Sequence, residues 1–241
     1  LTSVKSKLES AAVYLNECRL MGIDVEVPDI NRSEMDFTPV PNPDWDGGPY
    51  AEGSDQRDAT PGNIIFGMSA IRNVGEGIVE KILAARDEGG PFESFIDFVE
   101  RVEIEALNKR TIESLIKGGA FDCLGHPRKG LLQVYEQIID LTVQRRKEHD
   151  MGVMSLFGQL DDGPSFDERP SIPDVEFDKM PRLANEKEML GLYISDHPLL
   201  GFEAQVRRKA DTGVAGLADT PDGAIVKVGG VITNLQRKWT R

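Results

Sequence analysis

The chain reads as a mainly α protein, and three observations carry that reading. Apolar residues recur at three- and four-residue spacing in several separate stretches of the 241-residue chain. Most of those stretches close on glycine or open beside proline, the residues that stop and start helices. β character is concentrated in residues 213–241, which pass through Gly-rich turns into strand-like alternation, strongest over residues 226–235.

Taken in order, residues 4–22 place Leu8, Ala11, Ala12, Leu15, Cys18 and Leu20 at helical spacing, with Gly22 as the stop. Residues 23–27 read as a short strand ended by Pro28. Residues 31–62 are rich in breakers and are read as mostly loop, and residues 64–66 as a second short strand. A helical block follows. Ile78, Val79, Ile82 and Leu83 form one apolar face that ends at Gly89-Gly90, and Phe92, Phe95, Ile96 and Val99 form another. Residues 108–117 are a third helix with Ile112, Leu115 and Ile116 inward and Gly118-Gly119 as its stop. Residues 127–148 are the longest, with Leu131, Leu132, Tyr135, Ile138, Ile139 and Thr142 on one face. Pro127 suits a first turn, where its missing N–H costs nothing. Residues 183–194 are again helical, and Asp196 and Pro198 open one more helix to about Lys209.

Composition narrows the function classes. Apolar residues are 39% and charged residues 29%, a soluble globular balance. No run of 18 apolar residues exists, which excludes a membrane-spanning helix, and no basic-then-apolar leader opens the chain. Two cysteines, Cys18 and Cys123, exclude a disulfide framework and a cysteine-based zinc site, and they fit a reducing cytoplasm. The net charge of −13 is uneven: residues 24–61 carry −8 and residues 150–190 carry −6, whereas residues 62–149 carry only −2. The two acidic stretches are Pro- and Gly-rich and read as linkers or surface loops. The helical block between them is close to neutral, so the acidic total does not exclude nucleic acid. The opening inside a helical pattern and the unpaired β-rich run near the end read as a segment of something longer.

Three local features point outward. Asn73-Val74-Gly75-Glu76-Gly77 leads directly into an amphipathic helix. A tight hairpin at a helix start leaves backbone N–H groups unpaired, and the helix dipole adds about half a positive charge there, a natural seat for phosphate. Asn73 stands where the chain needs a residue tolerant of the left-handed conformation. Glu76 stabilises the helix start but repels an approaching phosphate, and an ordinary helix–helix turn is the alternative. Gly125-His126-Pro127-Arg128-Lys129 places two cations in a first turn, against the dipole, where an anion would make sense of them. The alternative is that Arg128 and Lys129 point into water. Val153-Met154-Ser155-Leu156-Phe157 is an apolar run too short to make its own core. It either covers the preceding long helix or fills a groove on a partner.

Catalytic groupings are weak. Ser195, Asp196 and His197 are contiguous, so their side chains diverge. His126, His149 and His197 show no metal-ligand spacing. Pro43-Asp44-Trp45-Asp46 and Pro173-Asp174-Val175-Glu176-Phe177-Asp178 alternate carboxylates as a strand-borne two-metal site would, but both lie in acidic linker.

In order and spacing, these residues resemble the C-family of bacterial replicative DNA polymerases, the DNA polymerase III α-subunit family. The resemblance runs through Tyr14 to Val25 with its Cys-Arg-x-x-Gly-Ile run, Asn31, Gly67 to Gly77, Asn108 to Gly125 and Glu186 to Leu199. It implies the end of a fingers domain over residues 1–61 and a tandem helix-hairpin-helix domain over residues 62–150. It further implies a clamp-binding peptide and acidic linker over 151–182, connecting helices over 183–212, and the start of an OB-fold domain over 213–241. It implies DNA, a sliding clamp and other replisome subunits as partners, and a cytoplasmic setting. The parent activity would be template-directed nucleotidyl transfer with magnesium, its catalytic aspartates lying in a palm upstream of this segment. The DNA-binding candidates are Arg72, Asn73, Gly75, Glu76, Gly77, Lys81, Arg128 and Lys129, and the clamp-binding candidates are Val153, Met154, Ser155, Leu156 and Phe157. The sequence departs from the family in carrying Val153 where the clamp peptide commonly begins with Gln. The rivals are a helix-hairpin-helix scaffold of a repair or recombination protein and a structural module without DNA contact.

Overall fold

The computed structural model describes residues 1–4, 13–15, 17, 18, 20–41, 62–150 and 169–230. They fall into two units, Leu1–Ser195 and Asp196–Arg241. The predicted opening helix falls partly outside the described residues. Within it, residues 13–15, 17, 18 and 20 are helical, and Gly22 turns the chain at φ 72°.

Three short strands follow. β1 (Val25–Glu26) pairs in parallel with β3 (Gly62–Ile65), and β2 (Thr38–Pro41) pairs with β3 antiparallel, in the order β1-β3-β2. β2 is a short strand that the reading of residues 31–62 as mostly loop did not single out. Pro39 and Pro41 cannot donate to a ladder, but β2 lies at an edge, where proline is tolerated. The turn before β2 is bound to the helical block. Asn31 Nδ2 donates to the Phe92 carbonyl (2.9 Å), the Phe92 N–H donates back to Asn31 Oδ1 (2.7 Å), and the Ile30 N–H reaches the Ala120 carbonyl (2.8 Å).

The block contains α1 (Glu76–Gly89), α2 (Phe95–Arg101), α3 (Lys109–Gly118) and α4 (Arg128–Asp150). Ser94 caps α2 by accepting the Asp97 N–H, and Asn108 caps α3 by accepting from Arg110 and Thr111. The inward faces converge on one core. Val79, Ile82, Phe95, Phe98, Val99, Ile112, Leu115, Ile116, Leu131 and Ile138 are all fully buried. Four phenylalanines form its centre: Phe98 lies 5.1 Å from Phe92 and 4.9 Å from Phe121 edge-on, and 6.2 Å from Phe95 in a stacked arrangement.

α5 (Lys179–Leu190) packs on α3 within this first unit. It starts four residues before the predicted position, with Pro181 tolerated in its first turn. It also ends earlier, because Gly191 takes φ 80° and its N–H closes on the Lys187 carbonyl, leaving 192–194 non-helical. Glu186 is wholly buried on α5. Its carboxylate accepts the N–H groups of Ile194 and Ser195 and the Ser195 hydroxyl.

In the second unit, α6 (Glu203–Lys209) is shorter than the predicted helix, with turns over residues 198–202 before it. Residues 212–230 hold a 3-10 helix, Val214–Asp219, and a bridge between Thr212 and Val228. The remainder of the predicted β run, from residue 231, lies outside the described residues.

Candidate nucleic-acid interface

The first hairpin is built from a 3-10 turn, Met68–Ala70, the chain reversal at 71–75, and α1. Asn73 sits at φ 63°, the conformation that its short polar side chain tolerates. That residue is held from both ends. Its Nδ2 donates to Ser114 Oγ (3.1 Å), and its carbonyl accepts from Thr111 Oγ1 (3.1 Å), both on α3. The Arg72 N–H donates to the Met189 carbonyl on α5 (2.9 Å), and Val74 is buried as an apolar peg beneath the turn. The hairpin is therefore fixed by packing and hydrogen bonds on its inner side.

Its outer side is open. Arg72, Asn73, Gly75, Glu76 and Gly77 are all exposed. Gly75 is the helix N-cap, with extended φ −84° and ψ 151°, and no side chain caps the helix start. Its carbonyl accepts from Ile78 and Val79, which sets the first turn of α1. A side chain added at Gly75 or Gly77 would meet nothing within 4 Å. Glu76 lies in the first turn, where a carboxylate suits the dipole.

Lys81 stands farther along α1 and is already engaged. It donates to Glu103, with Glu105 at 3.6 Å. The Glu103 hydrogen bond, reinforced by both carboxylate charges, raises its ammonium above the ordinary lysine range. Lys81 brings little unbalanced charge to the hairpin.

The second hairpin runs from α3 through Gly119, a 3-10 turn Asp122–Leu124 and Gly125 into α4. Here the structure corrects the expectation for Arg128. Its side chain is only 3% exposed and points neither to phosphate nor to water. Nε and Nη2 grip Asp122 (2.9 and 2.6 Å), Nη1 donates to the Lys117 carbonyl (3.2 Å), and buried Glu186 lies 3.9 Å away. Burial opposes its charge, but the hydrogen bond and charge of Asp122, helped by Glu186 and Glu176, hold the guanidinium above its ordinary range. A planar fork fits this bidentate role. Lys129 is half-buried, its ammonium 6.0 Å above the Phe177 ring.

The start of α4 carries a group that local sequence reasoning misses. Glu176 accepts the N–H groups of Arg128 (2.9 Å) and Lys129 (3.4 Å) from 48 and 47 residues downstream. The only advance signal was the alternating Asp174-Val175-Glu176 pattern, which reads as a metal motif. Among the described residues, no group of three or more His, Cys, Asp or Glu could hold a metal ion. The cluster Arg145-Arg146-Lys147 is structural in part, since Arg146 donates to the Val102 carbonyl (2.7 Å). Val153, Met154, Ser155, Leu156 and Phe157 lie outside the described residues.

Comparison with known proteins agrees with this geometry. A helix-hairpin-helix motif is matched over residues 22–131, spanning the first hairpin and the second as far as the first residues of α4. DNA polymerase III subunit alpha of Mycobacterium tuberculosis is 39% identical over 245 residues, covering 99% of this chain and 19% of that protein. This chain is homologous to the DNA polymerase III alpha subunit. The alpha subunit of Saccharopolyspora erythraea is 41% identical over 99% of the chain and 19% of its own length. That of Thermus aquaticus is 32% identical over 97% of the chain and 17% of its own. The chain thus spans about a fifth of the alpha subunits it matches. Among the described residues, no helix is long and apolar enough to cross a membrane.

Proposed function

We propose that this chain is part of the catalytic subunit of a replicative DNA polymerase and grips the duplex by its phosphate backbone without performing the chemistry. The observation that carries the reading is the uncapped, exposed start of α1, presented by Gly75, Glu76 and Gly77 and set in place by left-handed Asn73. Main-chain N–H groups at a helix start bind phosphate without reading sequence, as a polymerase moving over any template requires. Arg72 and Asn73, exposed beside them, complete the proposed contact. Lys129 is kept as a peripheral cation, and Arg128 is assigned to holding the second hairpin together.

Gly75→Glu and Gly77→Glu test this directly, because each adds a carboxylate in open space at an ordinary backbone conformation. The expected result is a loss of mixed-sequence duplex binding by about tenfold or more, with an unchanged melting curve. Undiminished binding, measured by fluorescence anisotropy, overturns the assignment.

By the resemblance, Leu156 and Phe157 are the anchors of a sliding-clamp peptide, with Val153, Met154 and Ser155 completing it. A tether of that kind raises the local concentration of the polymerase on its template. Leu156→Ala with Phe157→Ala is expected to abolish clamp capture in a pull-down, and retained capture removes the assignment. Magnesium belongs to the parent reaction and is assigned no ligand in this chain.

A further inference from the structure

The two hairpins differ in one respect that bears on how much duplex the chain can hold. At the second, the main-chain N–H groups that would face phosphate already face a carboxylate. Glu176 accepts two of them at once, from Arg128 (2.9 Å) and Lys129 (3.4 Å), and is itself steadied by the N–H of its own neighbour Phe177 (2.6 Å). An oxyanion bound by successive amides at a helix start, with a lysine alongside, is how a nucleic-acid phosphate is held. The segment bearing Glu176 is seated closely. The Gly130 N–H donates to the Val175 carbonyl (3.0 Å), and a Cβ on Gly130 would lie 2.0 Å from the Pro173 oxygen, so only glycine admits the segment there. Ile172 packs against the core on one side, and Phe177 lies under Lys129 on the other. The Glu176 side chain itself remains exposed, so its place on the amides is open to competition from solvent.

We propose that Glu176 is a built-in occupant of the second hairpin's phosphate position, so that duplex is gripped through the first hairpin and gains the second only when Glu176 withdraws. The inference rests on reading these hairpins as phosphate-binding. It adds that the acidic stretch after the long helix works as an internal competitor, which gives residues 173–178 a role other than metal binding.

The full 241-residue chain is used for the test, as wild type, Glu176→Ala and Glu176→Gln, the last keeping an acceptor for the helix start should the alanine variant unfold. Mixed-sequence duplex is titrated across a salt series. Removing the carboxylate is expected to tighten binding about three- to tenfold at low salt and to steepen the salt slope by about one phosphate contact. In parallel, inorganic phosphate is titrated while the Arg128 and Lys129 amide resonances are followed. They are expected to shift in the variants and not in wild type. Folded variants with wild-type affinity, slope and phosphate response overturn the proposal and leave the first hairpin's role intact. Wild-type chain that binds no duplex defeats the phosphate-grip reading instead, and the phosphate titration then decides the fate of Glu176 alone.

Discussion

Arg128→Ala is expected to cost about 3–5 kcal/mol of folding stability, the range for removing one partner from a buried ionic cluster. The side chain is 3% exposed and joins three pieces of chain: Asp122 in the second hairpin, the Lys117 carbonyl at the end of α3, and Glu186 on α5. Its removal leaves Glu186 fully buried without its cation and leaves the Lys117 carbonyl short of a donor. It also opens space over Gly119, where φ is 91° and a Cβ would lie 2.3 Å from the guanidinium. Arg128→Lys is expected to recover less than half of the loss, because an ammonium cannot hold Asp122 bidentately and reach Lys117 together. Urea unfolding followed by circular dichroism measures both. A loss under about 1 kcal/mol would show that the cluster is dispensable. Any fall in duplex binding should track the unfolded fraction, in contrast to the glycine variants at the first hairpin.

Phe98→Ala should destabilise the chain by a similar amount, about 3–5 kcal/mol, for a different reason. Phe98 is fully buried and touches three other rings, so truncation removes apolar burial and leaves a cavity lined by Phe92, Phe95 and Phe121. α2 supplies two of the four rings and packs against α4, so the gap lies where the long helix of the second hairpin meets α2. Phe98→Leu refills much of the volume and should restore more than half of the lost stability, read from the same unfolding curves. Equal losses in the two variants would mean that ring geometry, not volume, carries the effect.

The helical core was legible because its cause is local. The spacing that placed Ile112, Leu115 and Ile116 on one face is the spacing that buries them, and all three are fully buried. Asn73 was legible for the same reason, since tolerance of positive φ belongs to the side chain itself. β2 was hidden by Pro39 and Pro41, which look like loop until an edge position excuses them. The early end of α5 depended on Gly191 being read as a stop ahead of three more apolar residues. The second hairpin was misread because its electrostatics are settled at a distance. Arg128 looks free beside Lys129, yet Glu186 and Glu176 approach it from residues far downstream. No periodicity or motif spacing within residues 125–129 contains that information.

The bond from the Arg72 amide to the Met189 carbonyl governs how the chain can be cut. Excising residues 62–150 as a self-sufficient piece would sever that tie and strip Arg128 of Glu186 and the long helix of Glu176. A version spanning Leu1–Ser195 keeps all three anchors, the Asn31–Phe92 bonds and the Glu186 network that closes on Ile194 and Ser195. Length along the gene and completeness in space therefore diverge here, and the shortest portion worth expressing alone is set by the second.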